Sequence, residues 1–464
     1  MKLLLTLPPI KAQERYGRFS AIGSLYPPLG LAYLAAYAEQ AGHEVKIIDS
    51  EAQMSSYQDI INEVLEFHPD LVGIQTYCTN ISRAYKLAEY LKLVLETKIV
   101  LGGAQATLDP VGAISNKHID FVIIGEGEKT LVRLLDSLTT GTYAGMPGLV
   151  FKDNDTAKIN KPVDLIMNLD EIPLPARHLL PMEKYHSCSI LRGSRTLNII
   201  TSRGCPYRCV YCAGFRIFGA THRFHSTDRI INELRLLKEK YGADSIQFYD
   251  DTFTVDAQRV HELCDRMIDE KLNVQWSCFT RVDLVDEELL RKMKRAGCYL
   301  IFYGLESGVQ RILNLMQKGV TLEQSEKALI ITRRAGIDTW ANYMLGFPSE
   351  TREETEQTIA FAVKVNPTFA QFLNTTPFPG TTLYELAIQH GTLKVNLNNF
   401  TSWDEVSFVS NGRTENEIKD AVRKAYRRFY LRPLYLINCL RKILLLPPQK
   451  IFALIKTVFS ILIG

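Results

Sequence analysis

The chain has 464 residues, 46% hydrophobic and 23% charged, room for two to four domains at about 100–200 residues each. That composition excludes disordered, collagen-like and coiled-coil chains. A net charge of +3, from 54 basic and 51 acidic groups, excludes a protein that coats nucleic acid. The balance is uneven, however: residues 421–464 carry nine Lys/Arg and no Asp or Glu, which leaves 45 basic and 51 acidic groups in the first 420.

Nine cysteines, three of them within eight residues, do not form a disulfide framework. They point to a reducing compartment and one metal-type site. The apolar N-terminus breaks at Pro8-Pro9, too early for a signal-peptide core. No run reaches the roughly 20 apolar residues of a spanning helix. A cytoplasmic location is expected.

Residues 1–145 alternate strand and helix patterns. Apolar runs at 2–6, 45–49, 71–76, 98–101 and 121–124 are separated by helical periodicity at 29–40, 57–67, 82–96 and 128–138. This predicts a doubly wound α/β domain with a parallel sheet covered on both faces. Ligands of such sheets sit beyond the carboxyl ends of the strands. There the sequence places Thr76, then Gly102-Gly103-Ala104-Gln105, then Gly125-Glu126-Gly127-Glu128. Neither a dinucleotide fingerprint nor a phosphate-binding Walker loop is present.

Residues 146–195 read as a connector, with Pro173 and Pro175 enforcing extended chain. Six further strand–helix units fill 196–390, with strands at 197–201, 245–249, 275–279, 299–303, 338–344 and 369–374. They predict a partial (β/α)6 barrel with its chemistry at the strands' C-terminal ends. Residues 391–464 are expected to be a helical, basic and apolar tail.

The segment Thr201-Ser202-Arg203-Gly204-Cys205-Pro206-Tyr207-Arg208-Cys209-Val210-Tyr211-Cys212 reads C-x3-C-x2-C directly after a predicted strand. Three thiolates this close suit one metal centre. An iron–sulfur cluster usually takes four, so a set of three leaves one iron open. Structural zinc completed by His222 or His225 is the alternative. A chance group of buried cysteines is the third.

Cys205, Cys209 and Cys212, with Tyr211 before the last, match the C-x3-C-x-aromatic-C motif of the radical S-adenosylmethionine superfamily. Similar family segments follow in order: Phe248 to Phe253, Arg281-Val282-Asp283, Gly304 to Gly308, Gly346 to Thr351, and Thr376 to Thr381. The N-terminal region, with Tyr26-Pro27-Pro28-Leu29-Gly30, Gly102-Gly103-Ala104-Gln105 and Gly125-Glu126-Gly127-Glu128, resembles the cobalamin-binding domain of cobalamin-dependent radical enzymes. It departs from many such domains in lacking D-x-H-x-x-G, the source of a histidine ligand to cobalt.

The resemblance implies that the three cysteines hold a 4Fe–4S cluster whose open iron takes S-adenosylmethionine. It further implies that cobalamin in the first domain serves methyl transfer to an unactivated carbon. Tyr211, Asp250, Asp251, Arg281, Glu306 and Gly346 are then expected near S-adenosylmethionine, and Thr76, Gly102, Gly103, Gln105, Gly125 and Glu126 near cobalamin. The reaction also needs a reductant. Cobalamin-assisted rearrangement, oxidation or cyclisation is the enzyme alternative. A non-catalytic membrane-associated metal protein is the alternative of another class. Cys78, Cys188, Cys264, Cys278, Cys298 and Cys439 read as small buried hydrophobes.

The tail interleaves its nine cations with Phe, Tyr, Leu and Ile, and ends in a thirteen-residue run at 451–463. That pattern suits an element lying on a membrane surface. It favours peripheral contact with the inner face of the membrane and a small-molecule, lipid-derived substrate, with no nucleic acid expected.

Overall fold

A computed structural model describes residues 1–17, 20, 23–154, 156–188, 191–394, 405–433 and 435–437. The first sheet comprises β1 (Lys2–Thr6), β2 (Glu44–Ile48), β3 (Leu71–Gln75), β4 (Lys98–Gly102), β5 (Phe121–Ile123), β6 (Leu149–Asp153) and β7 (Thr156–Ile159), in the order β2-β1-β3-β4-β5-β6-β7. β1 to β5 are parallel. Leu71, Val72 and Ile74 of β3 are fully buried on alternate faces, as expected where helices cover both sides. The helices start where local chemistry dictates. Ser56 and Asp59 form a reciprocal capping box before helix Tyr57–Phe67, which satisfies two otherwise unpaired N–H groups.

The sheet does not end at residue 145. β6 pairs antiparallel with β5 and β7 antiparallel with β6, so the first part of the expected connector joins this sheet. Phe151 carries the reason, since its ring packs beside Tyr143, itself edge-on to Phe121. The Pro-rich stretch from 169 to 185 then runs as extended chain and single 3-10 turns.

The second sheet starts at β8 (Thr196–Ile199). Two short antiparallel strands follow, β9 (Ser202–Arg203) and β10 (Arg223–Phe224), one on either side of the cysteine loop. Then come β11 (Ser245–Phe248), β12 (Gln275–Thr280), β13 (Cys298–Glu306), β14 (Asp338–Leu345) and β15 (Phe369–Asn374). The order β15-β14-β13-β12-β11-β8, parallel throughout, gives the expected partial barrel. Along β14, Thr339, Ala341, Tyr343 and Leu345 are buried while the alternating residues are half-exposed. One face therefore packs on helices and the other lines the concave interior.

The C-terminal region is not purely helical. β16 (Gly391–Leu393) pairs with β17 (Phe408–Ser410) before helix Glu415–Tyr430. That helix packs on β15, where the Tyr426 hydroxyl accepts from Phe372 N and the Tyr430 hydroxyl donates to Ala370 O. Its cations are engaged: Lys424 and Arg428 pair with Glu356, and Arg423 with Asp420. Arg432 donates to Val363 O and Asn366 Oδ1. The part of the basic tail up to Arg432 therefore docks on the barrel, because acidic and carbonyl oxygens there meet it. Residues 438–464, including Cys439 and the apolar run at 451–463, lie outside the described residues. Among the described residues no helix is long and apolar enough to cross a membrane.

Candidate functional site

The cysteine loop leaves β9 at Gly204 and is held by backbone bonds from both sides. Val210 N donates to Met316 O, and Leu383 N donates to Val210 O. Cys205 and Cys212 are half-exposed and Cys209 is buried; all three are free thiols. Cys205 Sγ lies 3.6 Å from Thr252 Oγ1, and Gly214 N donates to Cys212 Sγ at 3.3 Å. Burial pushes the Cys212 thiol up to about 11, so only a bound cation would keep it as thiolate near neutral pH.

Among the described residues, no three His, Cys, Asp or Glu converge on the position of a single metal ion. Zinc draws its ligands into one tetrahedron with Zn–S of about 2.3 Å, whereas a cubane spreads its thiolates over separate irons. Three thiolates that do not converge on one point fit a cluster, each on its own iron. His225 is buried with Nδ1 3.1 Å from Asp170 Oδ1; His222 sits beside the Phe224 ring, its Nε2 without a hydrogen-bond partner.

Above the loop, Tyr211 and Glu306 come together with a residue the sequence reading missed, Lys318. Tyr211 OH donates to Glu306 Oε1 at 3.1 Å. Lys318 Nζ lies 2.9 Å from that hydroxyl and 3.1 Å from the same carboxylate oxygen. Glu306 adopts φ 66°, unusual for a side-chain-bearing residue, at a break in the β13–β14 register. A Cβ at Gly304 would stand 2.2 Å from Glu306 Oε1, so the folded-back carboxylate requires glycine there. The sequence signal for Lys318 was Gly319 directly after it; in the structure Gln317 and Gly319 both take positive φ and turn the chain there.

Arg281 donates twice to Asp283 and once to Lys318 O, and its guanidinium covers the Tyr207 ring at 3.6 Å. Its Nη1 is buried without a partner, a donor ready for a carboxylate. Asp251 keeps part of its surface open to solvent, yet its carboxylate lies close to Gly214 beside Cys212. Partial burial of the carboxyl, then the neighbouring Asp250, pushes its pKa up to about 6.

Asp250 is not available to a ligand. It accepts from Thr201 N, Thr201 Oγ1 and Ser202 Oγ, and Arg259 bonds the same threonine. A buried carboxylate needs such donors, so Asp250 ties β8 to β11. Gly346 is likewise engaged: its N–H donates to Glu350, and its Cα faces Ile418.

In the first domain, Gly102 borders open space, since a Cβ there would meet nothing within 4 Å. Gln105 Oε1 and Gln75 Oε1 are buried without partners. Gly103 adopts φ 95°, and a Cβ would come within 2.6 Å of Thr76 O. An open cradle with orphaned amide oxygens fits a large polar cofactor. Thr76 shapes this cradle through its backbone. Its hydroxyl is taken up by Gly102 O and Ala106 N.

Gly125 and Glu126 face the barrel domain. Gly125 packs beside Val163 and near Ile217 of the other domain. Glu126 accepts from Arg223 Nη1 and Nη2 at 3.0 and 2.7 Å and from Ile166 N, with Arg203 Nη1 at 3.5 Å. Glu128 accepts from Arg203 Nη2 at 2.6 Å. The acidic loop therefore clasps the barrel domain. Both carboxylates are buried and need these cations.

The outlying cysteines divide. Cys264, Cys278 and Cys298 are buried, while Cys78 and Cys188 are half-exposed.

The B12 binding domain family matches residues 18–135, and the Radical SAM superfamily matches residues 199–362. A protein of Pyrococcus horikoshii described as an uncharacterized methyltransferase is 39% identical over 442 residues, 94% of this chain and 94% of its own. The anaerobic magnesium-protoporphyrin IX monomethyl ester cyclase of Rubrivivax gelatinosus is 28% identical over 431 residues, 89% of this chain and 76% of its own. The solved structure of the radical S-adenosylmethionine methyltransferase TsrM of Kitasatospora setae, with cobalamin and a [4Fe-4S] cluster bound, shares the fold. Its TM-score is 0.72 over 93% of this chain and 89% of that one, at 18% identity. With both families matched in order, and a near-full-length relative at 39% identity, the chain belongs to the cobalamin-dependent radical S-adenosylmethionine enzymes, which use a 4Fe–4S cluster, S-adenosylmethionine and cobalamin.

Proposed function

We propose that the enzyme methylates an unactivated carbon of a small-molecule substrate. The observation that carries this reading is the buried clasp of Arg203 and Arg223 on Glu126 and Glu128. It sets the cysteine loop against the domain with the Gly102 cradle, so two cofactors would serve one reaction space. The relative of higher identity and coverage is described as a methyltransferase, which favours methyl transfer over cyclisation. Cyclisation keeps the weight of a relative at 28% identity.

When bound, the cluster with S-adenosylmethionine would supply a radical, and cobalamin a methyl group. The chain's own residues bind and orient. Cys205, Cys209 and Cys212 would hold three irons. Arg281 Nη1, buried without a partner, would pair with the cosubstrate's carboxylate, and Asp251 would accept from its amine. The Tyr211–Glu306–Lys318 group shapes the loop edge, and Gln75 and Gln105 would receive the corrinoid's amide donors. A lipid-derived substrate draws no support from the described tail, where Lys424, Arg428 and Arg432 are engaged on the barrel.

The test is anaerobic reconstitution with iron, sulfide and hydroxocobalamin, then reduction in the presence of methyl-labelled S-adenosylmethionine. Label on the protein-bound corrinoid is expected, together with 5′-deoxyadenosine. Cys209→Ser abolishes the 5′-deoxyadenosine. Release of 5′-deoxyadenosine with no label on the corrinoid would overturn methyl transfer and favour the cyclase-like reading.

A further inference from the structure

A row of aromatic rings crosses the concave face of the barrel. Phe279, Phe302, Trp340 and Phe369 are direct register partners on four adjacent strands, and Tyr249 continues the row just beyond β11. Successive ring centroids lie 5.6, 4.6, 5.3 and 5.4 Å apart. Tyr26, from the first domain, meets Tyr249 edge-on at 5.4 Å. The row therefore spans from the cobalamin-type domain to the last barrel strand.

Helices pack against the opposite face, where Cys278, Ile301, Ala341 and Ala370 are buried. On the concave face Phe279, Trp340 and Phe369 stay half-exposed, and Tyr249 is 39% exposed. Rings left uncovered in the middle of a fold offer apolar area to an occupant, each worth a large burial. The row carries no formal charge. Beside it several buried polar atoms lack partners, among them the Tyr26 hydroxyl, Ser277 Oγ, the Tyr299 hydroxyl and Gln247 Oε1, the last of which is an acceptor only. Gln247 lies on β11 two residues before Tyr249, on the same face. An amide oxygen only accepts, so an occupant must bring a donor or leave that oxygen unpaired at a cost. Gly304, which accommodates the Glu306 carboxylate, is two residues beyond Phe302, roughly 7 Å along the strand. The row thus forms the floor directly beneath the residues assigned to S-adenosylmethionine.

We infer that this row is the substrate-binding floor and that it selects a planar, largely apolar ring system carrying an uncharged hydrogen-bond donor. The inference rests on the reading above, that the barrel interior receives a small-molecule substrate.

The test is calorimetric titration of the reconstituted, full-length protein with 2-naphthol, 2-naphthoate, naphthalene and cyclohexanol. 2-Naphthol is expected to bind more tightly than the others. Trp340→Ala and Phe279→Leu weaken it by about tenfold, roughly 1.4 kcal/mol, and Trp340→Phe restores most of the affinity. Gln247→Met lowers 2-naphthol to the level of naphthalene. Hydroxocobalamin binding, read from its visible spectrum, and iron content stay at wild-type levels, which separates loss of the floor from misfolding. No binding of 2-naphthol, equal binding of naphthoate or cyclohexanol, or affinity indifferent to the ring substitutions would overturn the inference. Methyl labelling of the corrinoid needs no substrate, so it can succeed while the floor assignment fails.

Discussion

Arg203 Nη2 lies 2.6 Å from Glu128 Oε1 across the boundary between the two sheets, with both side chains buried. Arg203 stands two residues before Cys205, and Glu128 opens helix Glu128–Ser137. One guanidinium therefore joins the start of the metal-binding loop to a helix N-terminus in the neighbouring domain. The Tyr33 ring lies beside it at 5.5 Å.

Removing that cation strands the buried Glu128 carboxylate, while Glu126 keeps Arg223. Arg203→Ala is expected to cost on the order of 3–5 kcal/mol, the usual penalty for breaking a buried ion pair from one side. Lysine keeps the charge but presents a single ammonium where a fork serves two acids, so Arg203→Lys should fall between wild type and alanine. Thermal unfolding measures both, and iron content after reconstitution reports whether the cysteine loop keeps its position.

Gly102 and Gly103 are adjacent but should respond oppositely. Gly103→Ala forces a side chain into φ 95° and against Thr76 O, at a cost of about 1–3 kcal/mol. At Gly102 a Cβ meets nothing within 4 Å, so Gly102→Val should leave the melting temperature unchanged. If the open space is the corrinoid cradle, that valine still weakens hydroxocobalamin binding, read by spectral titration.

Burial pushes Glu350 up to about 7, against the bonds from Gly346 N and Thr355 and the charge of Arg413, which lower it. An acid whose folded pKa exceeds its unfolded value binds its proton more tightly when folded. Its contribution is full below about 4.5 and is lost as pH rises toward 7. Stability should therefore decline over that window. Glu350→Gln should flatten the decline, as followed by melting temperature between pH 5 and 8.

Much of this architecture was legible in the sequence because it rests on local periodicity. Helices Leu29–Gln40, Tyr57–Phe67 and Arg352–Val365 and strand Phe369–Asn374 fall where apolar spacing and caps put them. The sheet extension at β6 and β7 was not legible. A short edge hairpin after a turn looks like connector until Phe151 meets the rings of Tyr143 and, beyond it, Phe121.

The site was legible in its ligands and much less so in its supports. A C-x3-C-x2-C spacing shows three thiolates on one turn whatever surrounds them, because the chemistry is local. Glu126 and Asp250 looked like ligand residues because they follow strands, but a carboxylate in that position serves equally well as a buried tie. Only the partners decide between the two roles, and Arg223 and Thr201 lie 97 and 49 residues away.

Sequence alone determined the order of the two domains, the three-cysteine loop and the alternation of strands and helices, since each depends on residues within a few positions of one another. Tertiary structure alone decided that the acidic loop clasps the barrel domain, that Lys318 joins Tyr211 and Glu306, and that one aromatic ring from each of four strands falls into a single row. Those relationships depend on strand register and on which buried charges find counter-charges, and both are set when distant segments pack.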